Sequence, residues 1–410
     1  MGSKKKARRG GLTVSILSLS LLTVMAGAAV APALNIIREY FADAPQALVQ
    51  MIISVPALFI VITNLYFPKL SRKYKAKGLL MAGLILYTAG GVAAGLFSSI
   101  YLVLAARALV GIGVGIVMPM STGLLAFYYT RDKQDRLMGY SSAMNQLGGS
   151  IATLLSGLLA VISWRASFLV YLMGLISIVL CLIHLPNERI GGEGRKTPAK
   201  AAKNGPTGTD AAGGEKSVFG EYYPFIVGMF LLMFTFFVYP ANFAMETAKA
   251  GIIPQQYIAV IMAIMDACGF LGGLAFAPAK RFLKGVTRFT APLLFVLGYG
   301  CLLLSGGLAA TLLGSVCIGF AAGAGVPYLI STASMKAGRN AGSTVLPLIS
   351  AALYTAQFIT PMILSVIEQA FPVAHIPYLT AVMSGLLFLL WSVTIREDGH
   401  KERVIQEETR

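Results

Sequence analysis

A single carboxylate lies near the middle of an apolar segment of this sequence. Asp266 occupies the run IMAIMDACGF (261–270), within an apolar stretch that extends from about residue 257 to residue 278. Removal from water disfavours the charged form of a carboxyl group, so Asp266 could load and release a proton near neutral pH. It could instead bind a cationic ligand directly, or form a permanent ion pair with a buried base. The sequence leaves these three roles open.

Arg107 is the candidate base for such an ion pair. It begins the run RALVGIGVG (107–115), which lies inside another apolar segment, and an arginine keeps its proton at ordinary pH. Counted from the ends of the two segments at about 1.5 Å per residue, the depths of Arg107 and Asp266 differ by roughly 5 Å. Contact between them is therefore possible. The alternative is an arginine that snorkels to the membrane surface or holds helices together.

Polar residues recur at intervals of three and four in several apolar segments, which places each set on one face of a helix. Such a face is unfavourable against lipid, so it contacts either a neighbouring helix or a water-filled cavity. We select the larger polar side chains as candidate cavity residues: Asn145, Gln146, Thr235, Tyr239, Asn242, Tyr354 and Gln357. Nearby apolar side chains, among them Met118, Met120 and Phe236, suit a loosely specified ligand.

Composition places the chain among polytopic membrane proteins. Hydrophobic residues make up 56% of its 410 residues and charged residues only 12%, with a mean hydropathy of +0.74. A soluble domain usually has about 25% charged residues. Apolar runs near the roughly 20 residues needed to cross a bilayer recur along the chain, and they lack the alternating pattern of barrel strands. We therefore expect an all-α membrane protein.

Twelve candidate spans fall into two sets of six. The expected domains are an N-terminal six-helix bundle (1–186), a cytoplasmic linker (187–219), a C-terminal six-helix bundle (220–396) and a cytoplasmic tail (397–410). Short similarities between the halves, with Pro119 matching Pro327 and Pro68 matching Pro278, indicate pseudo-symmetry. The candidate spans are 12–37, 46–67, 78–99, 101–127, 138–162, 166–185, 222–245, 256–278, 290–309, 311–334, 344–367 and 376–395.

Basic residues are distributed unevenly between the two sides of these spans. With the N-terminus inside, 29 of the 33 Lys and Arg residues fall in segments assigned to the cytoplasm, as the positive-inside rule requires. We therefore predict a multi-pass protein of the cell (inner) membrane with both termini cytoplasmic. The same distribution explains the net charge of +16 by topology and contact with the lipid bilayer, so no nucleic-acid partner is expected.

Motifs for metal, nucleotide or disulfide chemistry are missing from the sequence. The four cysteines lie in apolar stretches without a CxxC pair, and the three histidines (His184, His375 and His400) lie near span ends, in a loop or in the tail. We expect the histidines to be structural or incidental and predict no metal site. No GxxxxGK[ST] phosphate loop occurs. We expect neither a cofactor nor an enzymatic activity.

A loop between the second and third spans resembles a family motif. The sequence FPKLSRKYKAKG (67–78) is similar to the signature loop of the major facilitator superfamily, with Arg72 and Lys75 at its two basic positions. Ser71 stands where that motif has an aspartate. In the family this loop helps to lock the inner gate through charge pairing, so the resemblance implies a gating role for Ser71, Arg72 and Lys75.

Three further stretches resemble the same superfamily. RALVGIGVG (107–115) is similar to its second motif, whose arginine is linked in the family to proton coupling, and SWRASFLVY (163–171) resembles a common sequence after the fifth span. We expect the latter to anchor the protein at the membrane interface. The fifth span carries a degraded antiporter pattern, with Ala152 and Thr153 in place of Gly-Pro. The chain looks most like the twelve-helix drug and metabolite proton antiporters.

This resemblance implies the major facilitator fold, in which two pseudo-symmetric six-helix bundles rock about a central site. Arg107 and Asp266 would then act in proton coupling, with protonation linked to binding of a small-molecule substrate. We expect proton-coupled export of an amphipathic drug or metabolite by a monomer. The alternatives are proton-coupled uptake of a specific small metabolite and, from another class, a non-transporting membrane receptor or scaffold.

Overall fold

The computed structural model of the chain describes residues 2–129, 131–187, 211–251, 253–304 and 307–395. Within these ranges the chain is almost entirely helical and contains no strand. The prediction of an all-α protein is confirmed for this part of the chain. Most of the predicted linker and all of the predicted tail lie outside the described residues, so the domain boundaries stay predictions.

The first half of the chain forms helices α1 to α8. The first span, Gly10–Tyr40, combines two helices, because a 3-10 turn that contains Pro32 interrupts the backbone hydrogen bonds between them. The helices are α1 (Gly2–Ala28), α2 (Leu34–Tyr40), α3 (Gln46–Lys73), α4 (Ala76–Ala94), α5 (Ile100–Tyr128), α6 (Arg131–Ile162), α7 (Trp164–Ser167) and α8 (Met173–His184).

The second half forms helices α9 to α13. They are α9 (Ala211–Ala250), α10 (Gln255–Leu283), α11 (Thr287–Leu304), α12 (Leu308–Ala370) and α13 (Ile376–Trp391). Helix α12 has 63 residues and contains two segments that could each cross a membrane, Leu308–Ala333 and Leu348–Ala370.

The helices match the predicted spans. In the described part of the chain, ten helical segments are long and apolar enough to cross a membrane. Two shorter apolar helices, Leu147–Ile162 and Ile376–Trp391, coincide with the predicted fifth and twelfth spans. Helix α6 (Arg131–Ile162) covers the whole of the predicted fifth span, 138–162, and begins seven residues before it.

Glycines allow the same close helix contacts in both halves. A Cβ atom on Gly113 of α5 would lie 2.6 Å from the carbonyl oxygen of Gly83 on α4. A Cβ atom on Gly314 of α12 would lie 2.7 Å from the carbonyl oxygen of Gly298 on α11. Small residues permit backbones to approach to such distances. Gly113 of the run 107–115 thus allows α5 to pack closely on α4, and the repeated contact fits pseudo-symmetric bundles.

The two bundles meet mainly where α3 packs against α12 and where α6 packs against α10. We call the end of the molecule that carries the connections 41–45, 95–99 and 371–375 the distal end, and the opposite end the proximal end. Asp266 of α10 lies at the interface that these four helices form.

Candidate functional site

Asp266 lies on α10 at the interface between the two bundles. Its Oδ2 atom accepts a hydrogen bond of 2.9 Å from the hydroxyl group of Thr153, which belongs to α6 of the opposite bundle. The Asp266 side chain is partly exposed. Among the described residues, no Lys, Arg or His forms a salt bridge with it. Its described polar partner is thus the Thr153 hydroxyl.

Close packing of α6 on α10 positions this contact. Gly157 lies one turn beyond Thr153 on α6, and a side chain at that position would overlap Ala259 of α10. The glycine thus lets the two backbones approach. Because the two backbones are close, the short side chain of Thr153 reaches the Asp266 carboxylate across the interface.

Arg107 is fully buried and joins several parts of the N-terminal bundle. Its Nε donates to the carbonyl oxygen of Ile52 on α3 at 2.7 Å, and its Nη2 donates to the carbonyl oxygen of Ala26 on α1. Its Nη1 donates to the Tyr171 hydroxyl, which in turn donates to the Ala26 carbonyl oxygen at 2.9 Å. The ion pair with Asp266 is not formed, because the guanidinium nitrogens bond to acceptors within their own bundle. A coupling role for Arg107 stays a prediction.

Two other acids within the apolar helices have partners at the distal end. Glu246 is 5% exposed and pairs with Lys249 at 2.8 Å and with Nδ1 of His375 at 3.0 Å. Glu368 accepts a hydrogen bond of 3.2 Å from Nε2 of Gln46, which belongs to the opposite bundle. His375 thus makes a structural contact, as expected for the histidines. These paired acids contrast with the mid-helix carboxylate on α10.

Further contacts close the interface on either side of Asp266. Toward the distal end, Nε2 of Gln50 on α3 donates to Oδ1 of Asn242 on α9 at 2.6 Å, and both side chains are buried. Toward the proximal end, the Tyr354 hydroxyl of α12 lies 3.1 Å from Sδ of Met118 on α5. Asp266 lies between these two levels, about 16 Å from the distal start of α10. The buried contact between Gln50 and Asn242 thus closes the interface between α3 and α9 toward the distal end.

Three of the predicted cavity residues are buried in contacts between helices. Thr235 bonds to the hydroxyl of Ser384 at 2.8 Å, and Tyr239 bonds to the hydroxyl of Ser315 at 2.7 Å. Asn242 accepts the hydrogen bond from α3 described above. In this conformation the polar groups of these three residues bond neighbouring helices, which is the alternative that the sequence left open.

Three other predicted cavity residues, Asn145, Tyr354 and Gln357, are partly exposed. Oδ1 of Asn145 accepts a hydrogen bond of 2.6 Å from Thr23 on α1. Nε2 of Gln357 lies 3.5 Å from the position of a Cβ atom on Gly27, also on α1. Gln357 therefore lies at the interface between the bundles, as Tyr354 does.

The remaining predicted residues form no described contact between the bundles. Ser71 donates to the carbonyl oxygen of Pro68 in its own helix at 3.2 Å, and Lys75 is exposed between α3 and α4. The side chains of Arg72 and Gln146 lie outside those that the structure describes. The gating role of the 67–78 loop and the cavity role of Gln146 stay predictions.

The prediction that the segment 163–171 anchors the protein at the membrane interface is wrong for Trp164. Trp164 is only 5% exposed, and its ring packs against those of Tyr40 and Phe41 at centroid distances of 5.0 and 5.7 Å. Arg165 lies over the same indole ring at 4.5 Å and donates to the carbonyl oxygen of Gly95. This local aromatic and hydrogen-bond cluster buries Trp164 within the protein.

Sequence reasoning did not select two residues that join the bundles. Thr153 shares a helix face with Gln146, at a spacing of seven residues, but it was not among the candidate cavity residues. Gln50 is an amide near the start of an apolar segment. A lone amide among apolar residues is a usable signal for a buried polar contact.

Solved transporter structures share this architecture. A bacterial homologue of the human lysosomal transporter Spinster, inward-facing and unoccupied, matches over 95% of both chains with 14% identity and a TM-score of 0.71. A D-xylose-proton symporter matches over 94% of this chain and 96% of that chain with 14% identity and a TM-score of 0.73. The nucleoside transporter NupG matches over 94% and 98%, with 12% identity and a TM-score of 0.72. These likenesses show the fold.

The sequence comparison with family models agrees with the fold. No curated protein matches the sequence. The model of the Major Facilitator Superfamily matches residues 16–361, which is most of the chain. The family and the fold together indicate a transporter rather than an enzyme. The chain belongs to the major facilitator superfamily.

Proposed function

We propose that this transporter exchanges protons for an amphipathic small molecule and exports a drug or metabolite by alternating access. The protein functions as a monomer in the cell (inner) membrane, with both termini in the cytoplasm and the distal end outside. Asp266 takes up and releases the coupled proton. In this arrangement the described conformation is closed to the outside.

The position of Asp266 is the observation that carries this proposal. The carboxylate lies between two bundles that must separate and rejoin during alternating access, and its described hydrogen-bond partner, Thr153, belongs to the opposite bundle. In the described part of the chain, no Lys, Arg or His forms a salt bridge with this carboxylate. Its charge therefore affects how readily α6 and α10 can pack together.

Charge neutralisation supplies the coupling. An unpaired carboxylate is costly to enclose in an apolar interface, so a proton or a cationic substrate must neutralise Asp266 before the interface closes around it. A proton and a cation compete for the same carboxylate, and binding of one favours release of the other. Exchange of the two across the membrane follows from this competition.

The partly exposed side chains near the interface support an amphipathic substrate. Asn145 and Gln357 present amide groups, Tyr354 presents an aromatic ring, and Met118 presents a polarisable thioether. Thioether and aromatic surfaces adapt to ligands of different shapes, while the amides bond to polar groups. Gln146, which is seven residues from Thr153 and so on the same helix face, contributes a further amide group to the proposed substrate site.

The three buried polar residues of α9 have a different proposed role from the partly exposed ones. Thr235, Tyr239 and Asn242 hold helices together in the distal-closed conformation and can bind substrate only after α3 and α9 separate. Arg72, Lys75 and Ser71 form the gate at the proximal end. Charge pairing of Arg72 and Lys75 with the opposite bundle would accompany closure of that end.

The test is accumulation of a fluorescent lipophilic cation in efflux-deficient bacterial cells. Wild type is compared with Asp266→Asn, and with Asp43→Asn as the matched control, because Asp43 is an exposed acid in the distal connection 41–45. Each strain is measured with and without a protonophore. We expect wild type and the control to accumulate less dye than cells with empty vector, and both Asp266→Asn and the protonophore to abolish that difference.

Other results would select the alternatives. Greater accumulation in wild type than in empty-vector cells, reversed by the protonophore, would indicate uptake by symport and contradict export. Wild type equal to empty vector, together with no ligand-induced rise in Tm across a panel of amphipathic cations, would contradict the broad export function. Binding of a ligand without movement of any ligand in vesicles would favour a receptor or scaffold.

A further inference from the structure

A groove within the C-terminal bundle lies between α10 and α11, with α12 behind it. Helices α10 and α11 make little direct contact with each other, whereas both pack on α12. The gap between them encloses about 200 Å³. Apolar side chains dominate its lining, among them those of Ala275, Phe276, Leu294, Phe320 and Phe388.

This groove is separate from the interface that contains Asp266. Every residue that lines it belongs to α10, α11, α12 or α13 or to the connection between α10 and α11, and none belongs to the N-terminal bundle. Its volume is also below the roughly 300–1,000 Å³ that accommodates a drug-sized ligand. The groove has room for part of one narrow apolar chain.

Arg288 lies at the proximal end of the groove. Its Nη1 donates to the carbonyl oxygen of Ile395 at 3.3 Å. Its Nε is buried and has no hydrogen-bond partner among the described residues. No acidic side chain lines the groove in the described part of the chain. The guanidinium charge is therefore not neutralised within the groove, and a donor remains for an anionic ligand.

The surroundings of the groove are typical of a membrane surface. Phe282 is 87% exposed and Val286 is 59% exposed, both next to the proximal end of the groove. Segment 279–289 carries four basic residues. Exposed apolar side chains beside basic residues occur where helices meet the headgroup region of a bilayer. The groove thus opens where phospholipids are available.

We propose that this groove binds one acyl chain of an anionic phospholipid, with the lipid phosphate held by Arg288. A guanidinium group matches the geometry of a phosphate and can donate two parallel hydrogen bonds to it. Leu294 lies six residues beyond Arg288 on α11, about 9 Å deeper, so the chain extends along α11 toward Phe320. A bound chain would fill the gap between α10 and α11.

The test is native mass spectrometry of the purified full-length protein after equilibration with equal amounts of phosphatidylglycerol and phosphatidylethanolamine. Ala275→Phe blocks the groove at an exposed position, and Ala309→Phe is its control at an exposed alanine near the distal start of α12. Arg288→Gln removes the charge, and Lys69→Gln removes an exposed charge on α3. Thermal unfolding of every variant confirms that it is folded.

We expect wild type and both controls to retain phosphatidylglycerol several-fold more than phosphatidylethanolamine. Ala275→Phe should lose the retained lipid, and Arg288→Gln should lose the preference for the anionic lipid. Equal retention of the two lipids by wild type, or unchanged retention by Ala275→Phe, would overturn the proposal.

A second measurement does not depend on those variants. A Phe320→Trp variant places a fluorescent reporter in the groove, and phosphatidylglycerol with a brominated acyl chain should quench it more strongly than the tryptophans of wild type. Quenching no stronger than that of wild type would also overturn the proposal.

Discussion

Replacement of Arg107 tests whether this arginine is a structural clamp of the N-terminal bundle. In Arg107→Gln the shorter side chain cannot reach the carbonyl oxygens of Ile52 and Ala26 and the hydroxyl of Tyr171 together. All these groups are buried, so water does not replace the lost contacts without cost.

The expected loss follows from the number of bonds. Hydrogen bonds between membrane helices contribute on average about 0.6 kcal/mol and at most about 1.7 kcal/mol each. Three of them therefore contribute roughly 2–5 kcal/mol. At about 2–4 °C per kcal/mol for chains of 150–250 residues, this corresponds to a fall in Tm on the order of 4–20 °C, and to a smaller fall in a longer chain.

The assay is thermal unfolding of purified Arg107→Gln, Tyr171→Phe and the double variant, with Lys69→Gln as an exposed control. The two single effects should not add, because both remove the bond between Arg107 and Tyr171. An unchanged Tm in Arg107→Gln, or fully additive effects, would refute the clamp. If the Tm were unchanged and proton dependence of transport were lost, Arg107 would instead act in coupling.

Three further predictions concern packing, the distal closure and the site. Gly113→Leu should lower the Tm in an unfolding scan, because overpacking typically costs about 1–3 kcal/mol. Gly300→Leu should have little effect, because a Cβ atom at Gly300 meets no atom within 4 Å. Equal Tm values for the two variants would contradict this packing. Gln50→Leu leaves the buried Asn242 oxygen without its hydrogen-bond donor, at a cost of about 1–3 kcal/mol. Distances between spin labels across the distal end should therefore lengthen. Unchanged distances would show that this hydrogen bond does not keep the distal end closed. Thr153→Val should reduce substrate exchange in vesicles several-fold while Thr153→Ser preserves it; full exchange by the valine variant would remove Thr153 from the site.

The elements of the fold could be predicted from the sequence because the physical signals are local. A bilayer requires long apolar helices, and in the described part ten of the twelve predicted spans coincide with such a helix and the other two with shorter apolar helices. The glycines of RALVGIGVG also carried a local signal, since close backbone contact needs residues such as Gly113. The linker and tail carry no such signal of structure, and most of their residues lie outside the described ranges.

The partners within the site could be predicted only in part. Helical spacing placed Tyr239 and Asn242 on one face of α9, yet it did not decide between a cavity and a neighbouring helix. The choice depends on how the helices are arranged in space, since Ser315 and Gln50 come from distant parts of the chain. The similar depths of Arg107 and Asp266 along their helices were compatible with contact between them. Depth does not fix the direction in which a side chain points, so the sequence could not show that this contact is not formed.

Proton movement by purified protein in vesicles tests most directly whether Asp266 carries the coupled proton. Vesicles that contain a pH-sensitive dye receive a lipophilic cation, and internal pH is followed for wild type, Asp266→Asn and the exposed control Asp43→Asn. We expect wild type and the control to move protons opposite to the cation, while Asp266→Asn, which lacks the carboxylate for which proton and cation compete, moves no protons. Proton movement by Asp266→Asn at the wild-type rate would contradict the account.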